Sequence, residues 1–297
     1  MIRGLPRRLD ARLTAPGPAY RLLEVQTLVA LVIALRLLVR PWVDIADRPP
    51  VLISGLGVMS WLRTTPSAGV VVAIQVLGLV GIVTYLVRRR WAHAGYVVGW
   101  LCYLVLAALW GSSGKVMHND VLTVWVALPL LFASVPARDD ERTRAVRWGW
   151  PPRASLAVLA TVYFLTGFQK LRHSGPRWVF SDNMANVLRQ GASPYAQGLS
   201  DFVSSHVWLA QCLAGGALAL ELTAIVWLSF RRTRWLFAVA VFVMHTSIWL
   251  FLGLDYSAWV LTAAAVAVPM SLPDGTSLLD LVRRVAGRRS AAPATAS

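Results

Sequence analysis

The stretch GVVVAIQVLGLVGIVTYLV at residues 69–87 decides the fold, because its 19 consecutive residues include no Asp, Glu, Lys, Arg or His. An uncharged apolar run of this length can cross the hydrocarbon core of a bilayer as one helix. It is followed at once by the basic cluster Arg88 to Arg90. Such clusters are typical of the cytoplasmic side of a membrane. The stretch therefore predicts a transmembrane helix whose carboxyl end faces the cytoplasm.

Seven further apolar runs of comparable character flank this stretch along the chain. They cover residues 20–39, 92–110, 119–136, 154–171, 207–229, 234–252 and 256–270. The composition agrees, since 57% of the residues are hydrophobic and only 14% are charged, against about 25% charged in soluble domains. We therefore expect an all-α fold, a polytopic transmembrane helical bundle with about eight spans.

The basic residues predict how this bundle is oriented. On eight spans, 20 of the 29 Lys and Arg residues fall in loops on the N-terminal side and seven on the other. Because positively charged loops stay inside, both termini are expected on the cytoplasmic side. The protein itself is expected in the inner membrane of a bacterial cell. The net charge of +15 does not indicate a nucleic-acid partner, since the clusters separate apolar runs and suit anionic membrane lipids.

This topology divides the chain into three parts. Residues 1–19 form a basic cytoplasmic segment, residues 20–270 a transmembrane domain, and residues 271–297 a cytoplasmic tail, expected to be partly disordered after residue 285. The transmembrane domain includes a long external loop at 172–206. Within it, Ser181 and Asp182 predict the start of a short helix that runs to about Arg189.

Ionisable side chains within a span are costly and need a partner or a function. Glu221 and His245 fall near the bilayer middle on consecutive antiparallel spans, where a contact between them would lower the cost of burying either. One interpretation is a polar contact that joins helices. A second is a functional histidine, since imidazole titrates near neutrality. An ion pathway is disfavoured, because the paired broken helices of inverted-repeat transporters are not evident.

Lysine is used at only two of the 29 basic positions, Lys115 and Lys170. A desolvated amine can lose its proton, whereas a guanidinium cannot, so lysine is the choice for a base. The other interpretation is a side chain at a helix end that extends its ammonium group to the membrane surface.

Three motifs carry a family resemblance. The stretch YFLTGFQKL at 163–171, followed by Trp178, resembles the Tyr-Phe-x-x-Gly-x-x-Lys-Leu…Trp motif of the HTTM domain, the membrane domain shared by vitamin K-dependent γ-carboxylases and many bacterial homologues. His118 and Asn119 before the fourth span, and HTSIWLFLG at 245–253, resemble two further motifs of that family. The resemblance covers roughly residues 20–270 and is to the bacterial stand-alone type.

The resemblance implies a chemistry as well as a fold. Lys170 matches the base that deprotonates a reduced naphthoquinone of the menaquinol or vitamin K type, in a carboxylase-like lyase or ligase acting at the outer face. The catalytic residues so implied are Lys170, His118, Asn119 and His245. The residues implied to bind the cofactor are Tyr163, Gly167, Trp178 and Glu221.

The same sequence also allows a domain without catalytic activity, and it does not indicate a metal site. The domain can instead be a non-catalytic membrane module that binds a peptide, lipid or protein partner through the loop at 172–206, as in toxin-maturation and immunity systems. Lys170 would then be an anchor. No metal is expected, because the five histidines lack the spacing of metal ligands.

Overall fold

The computed structural model describes residues 10–11, 13–53, 59, 61–87, 90–112, 118–136, 142–191 and 195–290. Over these residues the protein is an all-α bundle, as predicted. Lys115 lies outside the described residues. Two strands of two residues each, Gly17–Pro18 and Arg144–Ala145, pair antiparallel where the amino-terminal segment crosses the start of a long helix.

Twelve helices follow one another along the described chain. They are α1 (Ala19–Val39), α2 (Ala68–Leu86), α3 (Ala92–Gly111), α4 (Val121–Ala127), α5 (Val146–Ser174), α6 (Asn183–Gln190), α7 (Gln197–Ser205), α8 (Val207–Leu222), α9 (Ala224–Ser229), α10 (Arg231–Leu252), α11 (Ser257–Ser271) and α12 (Leu278–Ser290). Single turns of 3-10 helix occur at Trp42–Ile45, Pro50–Leu52, Leu128–Phe132 and Gly175–Trp178.

Five of the described helices are long and apolar enough to cross a membrane: α1, α2, α3, α5 with its 3-10 extension, and α10. The sixth predicted span is divided into α8 and α9 at Thr223, and α7 meets α8 at an angle of 101°. The fourth is shorter than predicted, whereas the eighth has the predicted length of 15 residues as Ser257–Ser271. Both are short for a full span and contain Pro129 and Pro269, respectively, which remove helical hydrogen bonds. The protein is thus an integral membrane helical bundle, for which eight spans with cytoplasmic termini stay a prediction.

Glycines let α2 and α3 approach closely. A Cβ atom added at Gly81 would lie 2.7 Å from the backbone nitrogen of Gly99 and 2.8 Å from the carbonyl oxygen of Gly95. Gly78, on the same side of α2, would meet Cys102 at 2.9 Å. Close backbone contact through small residues is how helices associate where no hydrophobic effect acts between them.

An ionic network around the buried guanidinium of Arg36 joins the carboxyl end of α1 to two loops. The Arg36 guanidinium contacts Asp120 at 2.9 Å and Asp255 at 2.8 Å. Arg40 also contacts Asp120, and the Tyr103 hydroxyl donates to the same carboxylate at 2.8 Å. Asp120 precedes α4 and Asp255 precedes α11. The network therefore brings the starts of these two helices together at one end of the bundle.

At the other end, the start of α1 holds the segment between α11 and α12. Arg21 pairs with Glu24 and donates to the carbonyl oxygens of Pro273 and Thr276 at 3.2 and 3.0 Å. The Leu278 backbone N–H donates to Glu24. Helix α12 continues over residues 285–290, the start of the segment expected to be disordered, while residues 291–297 lie outside the described residues.

The short helix predicted in the loop at 172–206 is α6, over Asn183–Gln190. The Ser181 hydroxyl oxygen accepts from the Asn183 N–H at 3.2 Å, as expected of a side chain at a helix start. A second short helix, α7, follows, and bends into α8.

We predict that Gly81→Ala destabilises the protein by about 1–3 kcal/mol, because the added methyl group meets backbone atoms that cannot rotate away. Thermal unfolding in detergent micelles would measure the change. Gly69→Ala is the matched control, since it lies in the same helix with open space around it. Equal unfolding temperatures for the two variants would contradict the close contact between α2 and α3.

Candidate functional site

Lys170 near the end of α5 forms an ion pair with Glu221 of α8. Its Nζ lies 2.6 Å from Oε1 and 2.7 Å from Oε2 of the carboxylate. The side chains are 23% and 6% exposed, respectively. Both oxygens of Glu221 therefore face one ammonium group in a largely dry environment, where the attraction between the charges is strong.

Gly167 makes this pairing possible. It lies one helical turn before Lys170, and a Cβ atom there would lie 2.9 Å from Cβ of Glu221 and 3.1 Å from the backbone nitrogen of Leu222. The absence of a side chain lets α5 and α8 pack closely enough for a bidentate contact. Gly167, suggested as a cofactor-binding residue by the resemblance, is thus placed where it sets the distance between the two helices.

Trp178 covers the same ammonium group from the other side. Its ring centre lies 5.2 Å from Nζ of Lys170, a distance at which an aromatic ring attracts a cation. The indole Nε1 of Trp178 is buried and has no hydrogen-bond partner among the described residues.

His245 of α10 contacts Tyr163 rather than Glu221. Its Nε2 lies 3.1 Å from the Tyr163 hydroxyl, and its Nδ1 is buried without a partner in the described part of the chain. The expected pairing of Glu221 with His245 is therefore wrong. Consecutive spans need not be neighbours, and α8 packs mainly on α5 rather than on α10.

Two aromatic residues at the start of α11 connect His245 to His118. The Tyr256 ring stacks on His245 with 5.1 Å between centres, and its hydroxyl lies 3.3 Å from Nε2 of His118. Trp259 donates through Nε1 to the His118 carbonyl oxygen at 3.2 Å, and its ring centre lies 5.3 Å from that of Tyr163. Sequence reasoning missed both residues, because aromatic side chains near a span end are also typical of membrane interfaces.

Asn119 holds the backbone next to Tyr256 by a hydrogen bond. Its Nδ2 donates to the carbonyl oxygen of Asp255, directly before Tyr256. The Asp255 carboxyl is charged: burial raises its pKa, but hydrogen bonds from Ser257 and Arg36 outweigh burial and bring it down to about 2. Asn119 and the charged Asp255 thus fix the position of Tyr256.

Burial and the nearby ammonium group of Lys170 both act on the pKa of His118. Burial lowers this pKa below the ordinary value of 6.5, and the positive charge of Lys170 lowers it further. His118 is therefore a neutral imidazole at neutral pH, able to accept the hydroxyl hydrogen of Tyr256 at Nε2. We use the name Lys170 cluster for Lys170, Glu221, Tyr163, His245, Tyr256 and His118.

The Lys170 cluster combines proton donors and acceptors with aromatic rings at one end of the bundle. Its members come from α5, α8, α10 and the segments before α4 and α11. No group of three or more His, Cys, Asp or Glu side chains suited to a metal ion occurs among the described residues. The arrangement is chemically suited to holding and moving protons.

Comparison with known proteins supports the resemblance read from the motifs. The family model of the HTTM domain matches residues 140–269, which confirms that resemblance. The matched range contains Lys170, Glu221, Tyr163, His245 and Tyr256, whereas His118 and Asn119 precede it. Searches of curated proteins and of solved structures returned no match.

We predict that breaking the ion pair costs more stability than replacing it. Glu221→Gln leaves the Lys170 ammonium without a carboxylate and should cost about 1–3 kcal/mol. Lys170→Met should act similarly on the carboxylate. The double variant Lys170→Met with Glu221→Leu should recover most of the loss, because no unpaired charge remains. Thermal unfolding in detergent measures all three, and strictly additive losses in the double variant would argue against the pair.

We also predict that His118 makes stability fall as the pH is lowered below about 6.5. The folded state holds the imidazole neutral while the unfolded chain takes up the proton, so acid favours unfolding. The decrease in unfolding temperature between about pH 7.5 and 5.5 should be smaller in His118→Gln than in the wild type. His173→Gln, at an exposed position of α5, should behave as the wild type; equal effects of the two substitutions would count against a buried neutral His118.

Proposed function

We propose that this integral membrane protein, through its HTTM domain, binds a reduced naphthoquinone of the menaquinol or vitamin K type and removes a proton from it. The activity would be carboxylase-like or a related oxidative modification at the outer membrane face. The proposal rests chiefly on the bidentate contact between Lys170 and Glu221. This contact places a carboxylate, which can accept a proton, directly against a largely buried amine.

The polar atoms around Lys170 fit a ring with two oxygen atoms. Nδ1 of His245 and Nε1 of Trp178 are buried and unpaired among the described residues, although such atoms normally have partners. A quinol hydroxyl can donate to one and accept from the other. The rings of Tyr163, Tyr256 and Trp178 would provide aromatic surfaces for a bound ring.

A ligand dissolved in the bilayer would reach Lys170 along an exposed apolar surface. The rings of Phe164 and Phe168 stack on α5 with 6.1 Å between their centres, and Phe168 is 45% exposed. Phe168 lies two residues before Lys170. A prenyl chain could remain among lipid tails beside these rings while the polar head group meets the ammonium.

The ion pair offers a route to a neutral amine. Apolar surroundings disfavour both charges, so a proton can pass along the 2.6 Å hydrogen bond from Nζ to Oε1, and the pair is neutral overall in either form. Nζ can then accept a proton from a ligand hydroxyl and, as an ammonium, stabilise the negative charge that develops there. The quinol, when bound, would supply that acidic hydroxyl and the reducing electrons.

The histidines would orient the ligand, while Lys170 would act as the base. The Tyr163 hydroxyl at Nε2 of His245 fixes the ring plane and leaves Nδ1 for the ligand. His118 and Tyr256 would form the far wall, with Asn119 positioning Tyr256 through the backbone of Asp255. A cluster that is built before the ligand arrives needs little reorganisation during proton transfer.

A second candidate function is partner binding without catalysis. It is favoured by exposed apolar side chains on the loop between α5 and α8: Phe180, Tyr195, Leu199 and Phe202. Such a patch is typical of a surface that meets a membrane or another protein. In this case Lys170 would anchor the start of the loop through Trp178, and a peptide, lipid or protein would bind the loop.

We predict that Lys170→Arg retains the contact with Glu221 but lowers quinol consumption by about a hundredfold or more, because a guanidinium cannot act as a base. Protein in nanodiscs would be supplied with menaquinol and oxygen, and quinol loss followed by chromatography and mass spectrometry. The same preparations would be analysed for naphthoquinone that co-purifies.

Arg172→Lys is the matched control, since it exchanges the same two residue types at an exposed position of the same helix and should leave consumption unchanged. Equal quinol consumption by the wild type and Lys170→Arg would refute the role of Lys170 as a base. A wild type that neither retains a naphthoquinone nor consumes quinol would favour the binding module instead.

A further inference from the structure

A small cavity lies at the end of the bundle opposite the Lys170 cluster. Its volume is about 100 Å³, well above the ~10–15 Å³ that a cavity needs to hold one water molecule. It is lined by the starts of α1, α5 and α10 and by the end of α11. Six of the lining side chains are charged or aromatic: Arg21, Trp148, Arg153, Arg231, Arg234 and Asp274.

Three of the arginines lining this cavity have no carboxylate partner among the described residues. Arg153 donates to the carbonyl oxygen of Ala15, and Arg234 donates to those of Leu228 and Met270 at 2.9 and 2.6 Å. Neutral carbonyl oxygens satisfy N–H groups without cancelling their charge. Arg231 is exposed and has no described hydrogen bond.

The described carboxylates near the cavity are already paired. Asp274, which lines the cavity, contacts Arg144 at 2.8 Å. Glu24 pairs with Arg21. Asp274 also lies within electrostatic reach of Arg153. Among the described residues, the cavity lining carries four guanidinium groups and one carboxylate, so its net charge is positive.

Trp148 supplies an independent observation. Its side chain lines the cavity and is 3% exposed, and its Nε1 has no hydrogen-bond partner in the described chain. An indole N–H can only donate. Trp148 therefore places a donor without a described acceptor beside a cavity lined by Arg153, Arg231 and Arg234, where an anion would supply the acceptor.

Two helix starts add to the positive potential. Trp148 lies in the first turn of α5, and Arg231 and Arg234 lie in the first turn of α10. Neither helix start is capped by a side chain. Unpaired backbone N–H groups at helix starts carry partial positive charge and favour phosphate groups.

From these features we propose that the cavity binds a phosphate group. Guanidinium groups match the geometry of phosphate oxygens, each of which can accept more than one hydrogen bond. The volume admits a phosphate but is well below the 300–1,000 Å³ typical of pockets for larger ligands. The phosphate would come from an anionic phospholipid head group or from a small soluble phosphate. This site is separate from the Lys170 cluster and does not depend on the function proposed for it.

Thermal unfolding of the full chain in a neutral detergent tests the proposal. Inorganic phosphate, short-chain phosphatidylglycerol and a diacylglycerol without phosphate would be titrated at constant ionic strength. Phosphatidylglycerol should raise the unfolding temperature saturably, whereas diacylglycerol should not. Stabilisation by inorganic phosphate as well would identify a site for soluble phosphates, and its absence would identify a head-group site; both outcomes support the phosphate site.

Arg231→Gln should raise the Kd of the stabilising ligand about tenfold, since one charge-assisted hydrogen bond is lost. Because Arg231 is exposed, this variant should fold normally. Trp148→Phe keeps the ring, removes the N–H donor and should also weaken binding. Arg232→Gln is the matched control, because Arg232 is exposed and does not line the cavity.

Two results would overturn the phosphate site. One is a wild type whose unfolding temperature changes with neither phosphate nor phosphatidylglycerol. The other is an equal loss of affinity in Arg231→Gln and Arg232→Gln, which would reduce the effect to general attraction by a basic surface.

Discussion

Arg36 lies in α1, 3% exposed, with its guanidinium between Asp120 at 2.9 Å and Asp255 at 2.8 Å. A charge inside an apolar bundle costs several kcal/mol unless it is fully surrounded by partners. Those partners come from two segments far apart in the chain, one before α4 and one before α11. The same segments carry His118 and Tyr256. The ion pairs that Arg36 forms with Asp120 and Asp255 therefore also bring one side of the Lys170 cluster together.

Arg36 and Lys170 illustrate why the chain uses two kinds of cation. Arg36 needs several N–H groups in a plane to reach two carboxylates and a hydroxyl, and only arginine has them. Lys170 faces a single carboxylate and keeps a removable proton. Since 27 of the 29 basic residues are arginine, lysine at this position is consistent with a requirement for a removable proton rather than for a permanent positive charge.

Much of the bundle could be read from the sequence, because uncharged apolar length alone defines a span. The predicted spans 20–39 and 69–87 differ from α1 and α2 by at most one residue at either end. The break at Thr223 has no equally plain signal, because apolar residues continue on both sides of it. The partner of Glu221 could not be predicted for a different reason. Residue order gives the depth of a residue in the membrane, but which helices become neighbours depends on packing. Here the packing depends on Gly167, which has no side chain. The place of Tyr256 in the cluster could not be predicted either, because residues distant in the sequence position it.

The length of α5 relates the two ends of the molecule. Arg153 and Lys170 are 17 residues apart on this continuous helix, which at a rise of 1.5 Å per residue corresponds to about 26 Å. The hydrocarbon core of a bilayer is about 30 Å thick. If a phosphate group at one membrane surface holds Arg153, Lys170 falls near the opposite edge of the core rather than at its middle. A site at that depth can receive a prenylated ring from the lipid and still meet water-soluble reactants, as the proposed removal of a proton from a membrane-dissolved quinol requires.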